Sequence, residues 1–443
     1  MNAIIVLLLV ASAQAQVSFE ERKLGELPAG AMKADDLEIS PDGRCVTFVA
    51  KDGGKQYVVV GDTKLEAFDE VRWPGFAPDG QTVYYSARTG KKWRLVVGDR
   101  KSEEFDVVRS PAFSADGKSM SVIVRSDGKW HVVVDGRWGE AFDKIEISSS
   151  FSADGKSFLY RAQRDGKAFV VAGDKKIGPF DESSWAEFMS GDVLAYCAKS
   201  GEKEFVVVGD QRGEEFEYVM IPSLSPDRTR IAYVAWSDAG NCVVVDGKRQ
   251  YELGKDRGRD VVFAPDGKSV VFTAMTGDRK QWYMVAGDRK LPAVEGWDAS
   301  DPHVTPDGKH ALCVLRDDKA MRLYVDGKVG PPFEVVRWPD FSPAGEATYV
   351  GTSGKGDKRQ DTLMVGERAL APVGWIRTYR FSPDGATLAW MVDTGGRSVV
   401  HVGGTAHEFE AARRPIQFSA DGKKVAFAIA RGREIWWKVI EVR

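Results

Sequence analysis

The stretch that decides the fold runs from Val71 to Asp99 and reads VRWPGFAPDGQTVYYSARTGKKWRLVVGD. Val71 to Ala77 leads into Pro78-Asp79-Gly80, where proline presets φ and glycine accepts a left-handed conformation. Val83, Tyr85 and Ala87 then alternate on one face, the period of a strand. Thr89-Gly90 marks a second turn, and Trp93 to Val97 a third strand that ends at Gly98-Asp99, a pair that tolerates positive φ in a hairpin. Ser102 to Phe105 predicts a short fourth strand, after which Val108-Arg109 begins the same pattern again.

Working outward, the turn recurs along the whole chain. Ser/Ala/Thr-Pro/Ala-Asp-Gly or a close variant starts at 40, 77, 114, 152, 225, 264, 305, 342, 382 and 419, with a degenerate copy at Met189-Ser190-Gly191-Asp192. The mean spacing is about 38 residues, the kind of fixed period that marks a repeat architecture. The third strands are apolar on both faces, as in Val58-Val59-Val60, Val132-Val133-Val134 and Val206-Val207-Val208. Strands buried on both sides belong in sheets stacked between neighbouring sheets, which is how propeller blades pack. The last unit supplies only three strands, Ile416 to Ser419, Val425 to Ala430 and Ile435 to Val442, while Ser18 to Leu24 is an orphan near the start. Pairing the orphan with the last unit completes a four-stranded sheet and removes exposed edges.

The expected fold is therefore all-β: a β-propeller of eleven four-stranded blades, its N-terminal strand closing against the C-terminal blade. One large ring and two tandem rings of about five and six blades, split near 209, both satisfy the pattern. Residues 1–15 read as a signal peptide. Ala3 to Ala13 is small or apolar apart from Ser12, and Ala13-Gln14-Ala15 is a cleavage pattern before Gln16. Residues 16–443 are then the propeller repeats, in the periplasm or secreted, with no membrane insertion after cleavage.

Composition narrows the partners. The 62 Lys+Arg against 65 Asp+Glu leave a net charge of −3, which argues against a nucleic-acid binder working through a basic surface. The four cysteines, Cys45, Cys197, Cys242 and Cys313, fall at repeat positions held elsewhere by ordinary strand residues. They read as buried single thiols, the first, second and fourth of the series in second strands for Cys45, Cys197 and Cys313.

Runs such as Phe381-Ser382-Pro383-Asp384-Gly385, Phe263-Ala264-Pro265-Asp266-Gly267-Lys268 and Val243-Val244-Val245-Asp246-Gly247-Lys248 resemble the TolB-like, WD-repeat-like bacterial propellers. The resemblance covers the repeats from end to end and implies an exported platform for proteins or peptides. Two departures limit it. The repeat count leaves no room for the additional α/β domain of TolB, and the Gly-His and Trp-Asp signatures of WD repeats are not repeated.

Six units carry an arginine four residues before the Phe that precedes the turn: Arg72, Arg109, Arg259, Arg337, Arg377 and Arg414. Val-Arg-Trp-Pro occurs twice, at Val71 to Pro74 and Val336 to Pro339. The position lies where the chain enters each innermost strand, so the guanidinium groups are expected at one mouth of a channel. There they would hold a carboxylate or phosphate bidentately. The competing and favoured use is ion pairing within the corner, since Asp69, Asp106 and Glu334 each stand three residues before an arginine. Trp73, Trp185 and Trp338 occupy the next position, with core packing favoured and ligand stacking the alternative.

Of the five histidines only His303 falls in an innermost strand, near Asp301. No metal-ligand motif, nucleophile elbow or phosphate loop is present, so no metal or cofactor is expected. The reading is a non-catalytic scaffold binding a protein, peptide or anionic ligand at the channel face. The tentative site is Arg72, Arg109, Arg259, Arg337, Arg377, Arg414, Trp73 and Trp338. The alternative is a lyase or hydrolase acting on an acidic carbohydrate through His303, Asp301 and nearby arginines.

Overall fold

The computed structural model describes residues 19–27, 37–146, 150–296, 298–354, 356, 359–370 and 374–442. The leader at 1–15 lies outside them. The fold is an all-β propeller of eleven antiparallel blades. Ten follow in chain order, at 38–68, 70–101, 107–138, 144–180, 182–212, 218–254, 257–295, 298–329, 335–370 and 375–409. The eleventh combines Ala411–Phe418, Lys424–Arg431 and Glu434–Glu441 with Arg22–Glu26 from the N-terminal region. Arg22 pairs with Trp437 and Glu26 with Glu434, so the orphan strand closes the last blade as expected. Two compact units are distinguishable. One holds the described residues up to Asp181 with Ala186–Asp192 and Ala430–Lys438, and the other Glu182–Trp185, Val193–Ile429 and Val439–Arg443. Among the described residues no helix is long and apolar enough to cross a membrane.

In most of its copies the repeated turn is held by one buried hydroxyl; where alanine stands instead, at Ala77 and Ala264, the aspartate and glycine bonds remain. Ser114, wholly buried, donates to Asp116 Oδ1 at 2.7 Å and accepts from the Ser119 N–H at 3.0 Å. Asp116 also accepts from the Lys118 N–H, and the Gly117 N–H returns to the Ser114 carbonyl. The Ser114 hydroxyl and the Lys118 groups together hold the Asp116 carboxyl down at about 2. The same Ser/Thr-to-Asp bond forms at Ser152, Ser225, Thr305, Ser382 and Ser419. A Cβ on Gly385, at φ 72°, would lie 2.6 Å from Pro343 of the preceding turn, so both torsion and packing require glycine there.

Blades pack through alternating apolar faces. Val58 and Phe68 of blade 1 join Val71, Val83, Tyr85, Ala87 and Val96 of blade 2 in one buried cluster. Trp93, Leu95 and Phe105 of blade 2 meet Val108, Val122, Val124 and Val133 of blade 3 in the next. Each such valine contributes about 1.5–3 kcal/mol by burial. The fourth strand is often only two residues long, Arg100–Lys101 in blade 2. Phe105, expected inside it, returns through a single bridge to Trp93. Cys45 stands half-buried just before its strand, Val46–Asp52, while Cys197, Cys242 and Cys313 are buried; all four are free thiols.

At five corners a polar clamp follows the Phe. Lys92 opens the third strand of blade 2 and bonds Asp106, immediately before blade 3, at 2.6 Å. Lys55 with Asp69, Lys129 with Asp143, Lys167 with Asp181 and Lys203 with Glu217 repeat it. Asp69 also accepts the Gly90 N–H at 2.6 Å, and Asp143 the Asp165 N–H at 2.8 Å, which ties the acid to the hairpin of its own blade. Asp69 and Asp106 therefore serve lysines of the preceding blade, not the arginines three residues on. The lysine beside each acid holds the carboxyls of Asp69, Asp106, Asp143 and Glu217 below their usual range.

Two outcomes are expected. Carboxyls depressed on folding stabilise the native state above their unfolded pKa, and that contribution is lost as pH falls through the lower folded values. Thermal melts of the Asp69→Asn/Asp106→Asn/Asp143→Asn protein should therefore fall less than wild type as pH drops below about 4. Parallel melting curves would contradict the clamp. Separately, a Cβ on Gly25 would press into the Gly61 carbonyl of blade 1, whereas one on Gly54 meets nothing. Gly25→Ala should be destabilising by about 2–3 kcal/mol through overpacking, and Gly54→Ala by about 1 kcal/mol through its positive φ alone. Equal melting temperatures would contradict the closing contact.

Candidate functional site

The first strand is an edge of its sheet, and five first strands share an irregularity. In blade 2 Arg72 pairs with Ser86 and Gly75 with Tyr84, so Trp73 and Pro74 together oppose one residue. This β-bulge recurs between Arg109 and Ala112, Arg259 and Val262, Ser300 and His303, and Arg337 and Asp340. In blade 10 the shift falls at Arg377 itself. The residue after the arginine position is left-handed in four blades: Trp73 at φ 52°, Asp260 at 44°, Asp301 at 51° and Trp338 at 51°. Non-glycine residues held there carry roughly 1–3 kcal/mol of strain each, and such strain concentrates at functional sites. Pro74, Pro302 and Pro339 follow three of them directly, and Pro111 holds the same place in the bulge of blade 3. Lacking an N–H, proline is accommodated at a bulge or an edge.

The bulge turns its residue outward. Trp73 is 50% and Trp338 43% exposed, which corrects the expectation that both pack in the core; Trp185 is buried as expected.

The arginines beside the bulges are engaged within the protein. Arg72 bonds Glu70 at 2.6 Å and lies 4.8 Å from the Trp93 ring centre. Arg109 stacks 4.7 Å over Trp130 and makes no ion pair among the described residues. Arg259 reaches Asp298 at 2.6 Å and Asp260 at 3.5 Å. Arg377 bonds Asp393. Arg414 lies in the first strand of the last blade, its side chain outside the described set.

Arg337 is the most deeply held, its side chain only 16% exposed. It donates to Asp361, whose side chain is wholly buried and also accepts from Thr352 Oγ1 at 2.7 Å and from the Ile376 N–H at 2.8 Å. The Arg337 guanidinium stacks 4.8 Å from Trp338 and 4.4 Å from Trp375, and Arg359 lies 4.1 Å from Trp375 on its own account. Tyr379 donates to the Trp338 carbonyl at 2.7 Å. Blade 9 and the strand Trp375–Phe381 thus carry a continuous aromatic–guanidinium stack.

His303 does not pair with Asp301. His303 Nδ1 stands 3.7 Å from Asp340 Oδ1 of the next blade. Burial pushes the Asp340 carboxyl up, but His303 and the Phe341 N–H outweigh it and the net direction is down. Asp260 moves the other way. Burial raises it, helped by Asp301 and Asp298 and opposed by Arg259. Among the described residues no three His, Cys, Asp or Glu side chains are placed to hold a metal ion.

Sequence reasoning missed Trp375, Arg359 and Asp361. They sit at the start of a first strand and of a third strand, where no repeat marks them. The Arg-x-Pro spacing at Arg72, Arg109 and Arg337 was the available sign of a bulge.

No protein-family model matches the chain, and no curated protein matches it. Among solved structures it is similar to a eukaryotic initiation factor, at 13% identity over 82% of this chain and 96% of that one, TM-score 0.41. It is also similar to the Dos1 propeller, at 12% over 67% and 92%, TM-score 0.35. A third is TolB from Acinetobacter baumannii, at 15% over 76% and 79%, TM-score 0.27. Likenesses this distant speak to no function.

Removing one partner of a buried pair leaves the other charge uncompensated, at about 3–5 kcal/mol, whereas an exposed pair is worth about 0–1 kcal/mol. Arg337→Ala should therefore be strongly destabilising in denaturant unfolding and Arg72→Ala nearly neutral. Similar midpoints for the two would contradict the structural role assigned to Arg337.

Proposed function

We propose that the chain is an exported, non-catalytic propeller scaffold of the TolB-like kind, periplasmic or secreted, that binds a protein, peptide or anionic ligand through its bulged first strands. The observation that carries this is the exposure of Trp73 and Trp338 on strained bulges beside guanidinium groups that are already oriented. Strain and exposed indole area both oppose folding, and binding an external surface gives them a use. Export rests on the leader read at 1–15, and the resemblance carried by the repeated turns supports a platform role.

Because Arg337 also holds Asp361, the indoles are the cleaner probes. Mature protein used as bait in a native envelope extract should enrich a partner that the Trp73→Ala/Trp338→Ala variant loses at unchanged melting temperature. Equal capture by both proteins would overturn the assignment.

A second reading, a lyase or hydrolase acting on an acidic carbohydrate, is favoured by one observation: partly exposed His303 lies against Asp340. Cleavage of a uronate oligomer that is lost in His303→Gln would establish it over the scaffold.

A further inference from the structure

We infer that Met321 is a reversible oxidation site, whose sulfoxide gives one corner of the propeller the oxygen acceptor that other corners already have. Met321 lies against the strand that carries Trp338, and its chemistry is independent of what that strand binds.

The third strand of a blade begins beside the first strand of the next, and the side chain there meets a backbone N–H fifteen residues on. Gln56 Oε1 accepts from the Val71 N–H at 2.7 Å, Glu204 Oε2 from Val219 at 2.8 Å, and Asp361 Oδ2 from Ile376 at 2.8 Å. In blade 8 the same place is held by Met321, which, like Glu204, forms the bridge to the following Phe. Its Sδ takes the N–H of buried Val336 at 3.4 Å. A thioether is a weak acceptor, so this N–H is the worst served of the four.

Chain length decides what oxidation does. Along the side chain, Sδ of methionine stands where Cδ stands in Gln and Glu, so a sulfoxide oxygen has the reach of Gln56 Oε1 and Glu204 Oε2. The unbranched side chain is flexible enough to bring it onto the N–H. Most sulfoxides in a core are polar groups without a partner; here a donor is already in place. Met321 is half-buried against Leu323, Val336 and Tyr349 and so open to a small oxidant, whereas Met284 and Met391 are sealed in the core.

The sulfur lone pair attacks one oxygen of a hydroperoxide and the O–O bond breaks. The proton on the attacked oxygen passes to the departing one, which leaves as water or an alcohol. Sulfur gives up two electrons and the peroxide takes them. A thiol-dependent reductase reverses the step: two thiols become a disulfide and the sulfoxide oxygen leaves as water. Because Val336 immediately precedes Arg337 and Trp338, the stronger bond fixes the start of that bulged strand.

The test treats the full chain with dilute hydrogen peroxide. Peptide mass spectrometry follows the oxidation of each methionine, and hydrogen exchange follows the peptide spanning Val335–Phe341. Met321 is expected to gain one oxygen ahead of Met284 and Met391, and exchange of the Val336 N–H to slow by about fivefold. Met321→Gln, with the oxygen built in, should show the slowed exchange before peroxide and no further change after it. Met321→Leu, which offers no acceptor, should exchange faster than wild type with or without peroxide. Exchange of peptides from blades 1 to 5 certifies the fold of both variants. Oxidation of Met321 no earlier than the buried pair, faster exchange of the peptide after oxidation, or wild-type exchange in Met321→Gln would overturn the inference.

Discussion

A sheet that is apolar on both faces must have a neighbour on each side, and everything else in this protein follows from that requirement. Val58, Val122, Val234 and Val314 lie in the middle strands of their blades and are essentially without solvent contact. No blade could leave such residues at a free face without losing several kcal/mol. The corner between blades is therefore where specificity is built: a buried Phe, an acid that grips the preceding lysine, and a Ser-Asp turn. The strand at Arg22–Glu26 meets the same need for the last blade, and Gly25 is small because that strand runs against the Gly61 carbonyl.

With the middle strands committed to packing, the first strands are free to carry chemistry. In four blades the bulge holds a left-handed tryptophan or aspartate: Trp73, Asp260, Asp301 and Trp338. Beside the bulges, Arg72, Arg259, Arg337 and Arg377 all have carboxylate partners. What is left over is therefore informative. The exposed indoles on the strained bulges, Trp73 and Trp338, stand out.

The blade repeat was legible because turn chemistry is local; a Ser, an Asp and a Gly within four residues suffice to announce it. The closing strand was legible from counting strands. The lysine–acid clamp is written in the sequence, since Lys55/Asp69, Lys92/Asp106 and Lys129/Asp143 share one spacing of fourteen residues, but the shorter Asp–Arg spacing at Asp69 and Asp106 competes with it. Partners set by tertiary packing were not legible. Asp361 lies 24 residues from Arg337, and Asp298 lies 39 from Arg259. Nor was the exposure of Trp73 and Trp338, because an indole in a strand packs inward unless a bulge turns it. His303 was placed in the right strand, but its neighbour Asp340 across the blades was not legible.

The central claim is that the bulged first strands, and not the outer edges of the blades, are the binding element. Oxidative footprinting of the mature protein, with and without its captured partner, tests this on the intact molecule. Trp138 lies on an outer strand with an exposure like that of Trp338 and serves as the internal reference. The partner is expected to protect Trp73 or Trp338 and to leave Trp138 as reactive as before. Protection of Trp138 with Trp73 and Trp338 unchanged would contradict it.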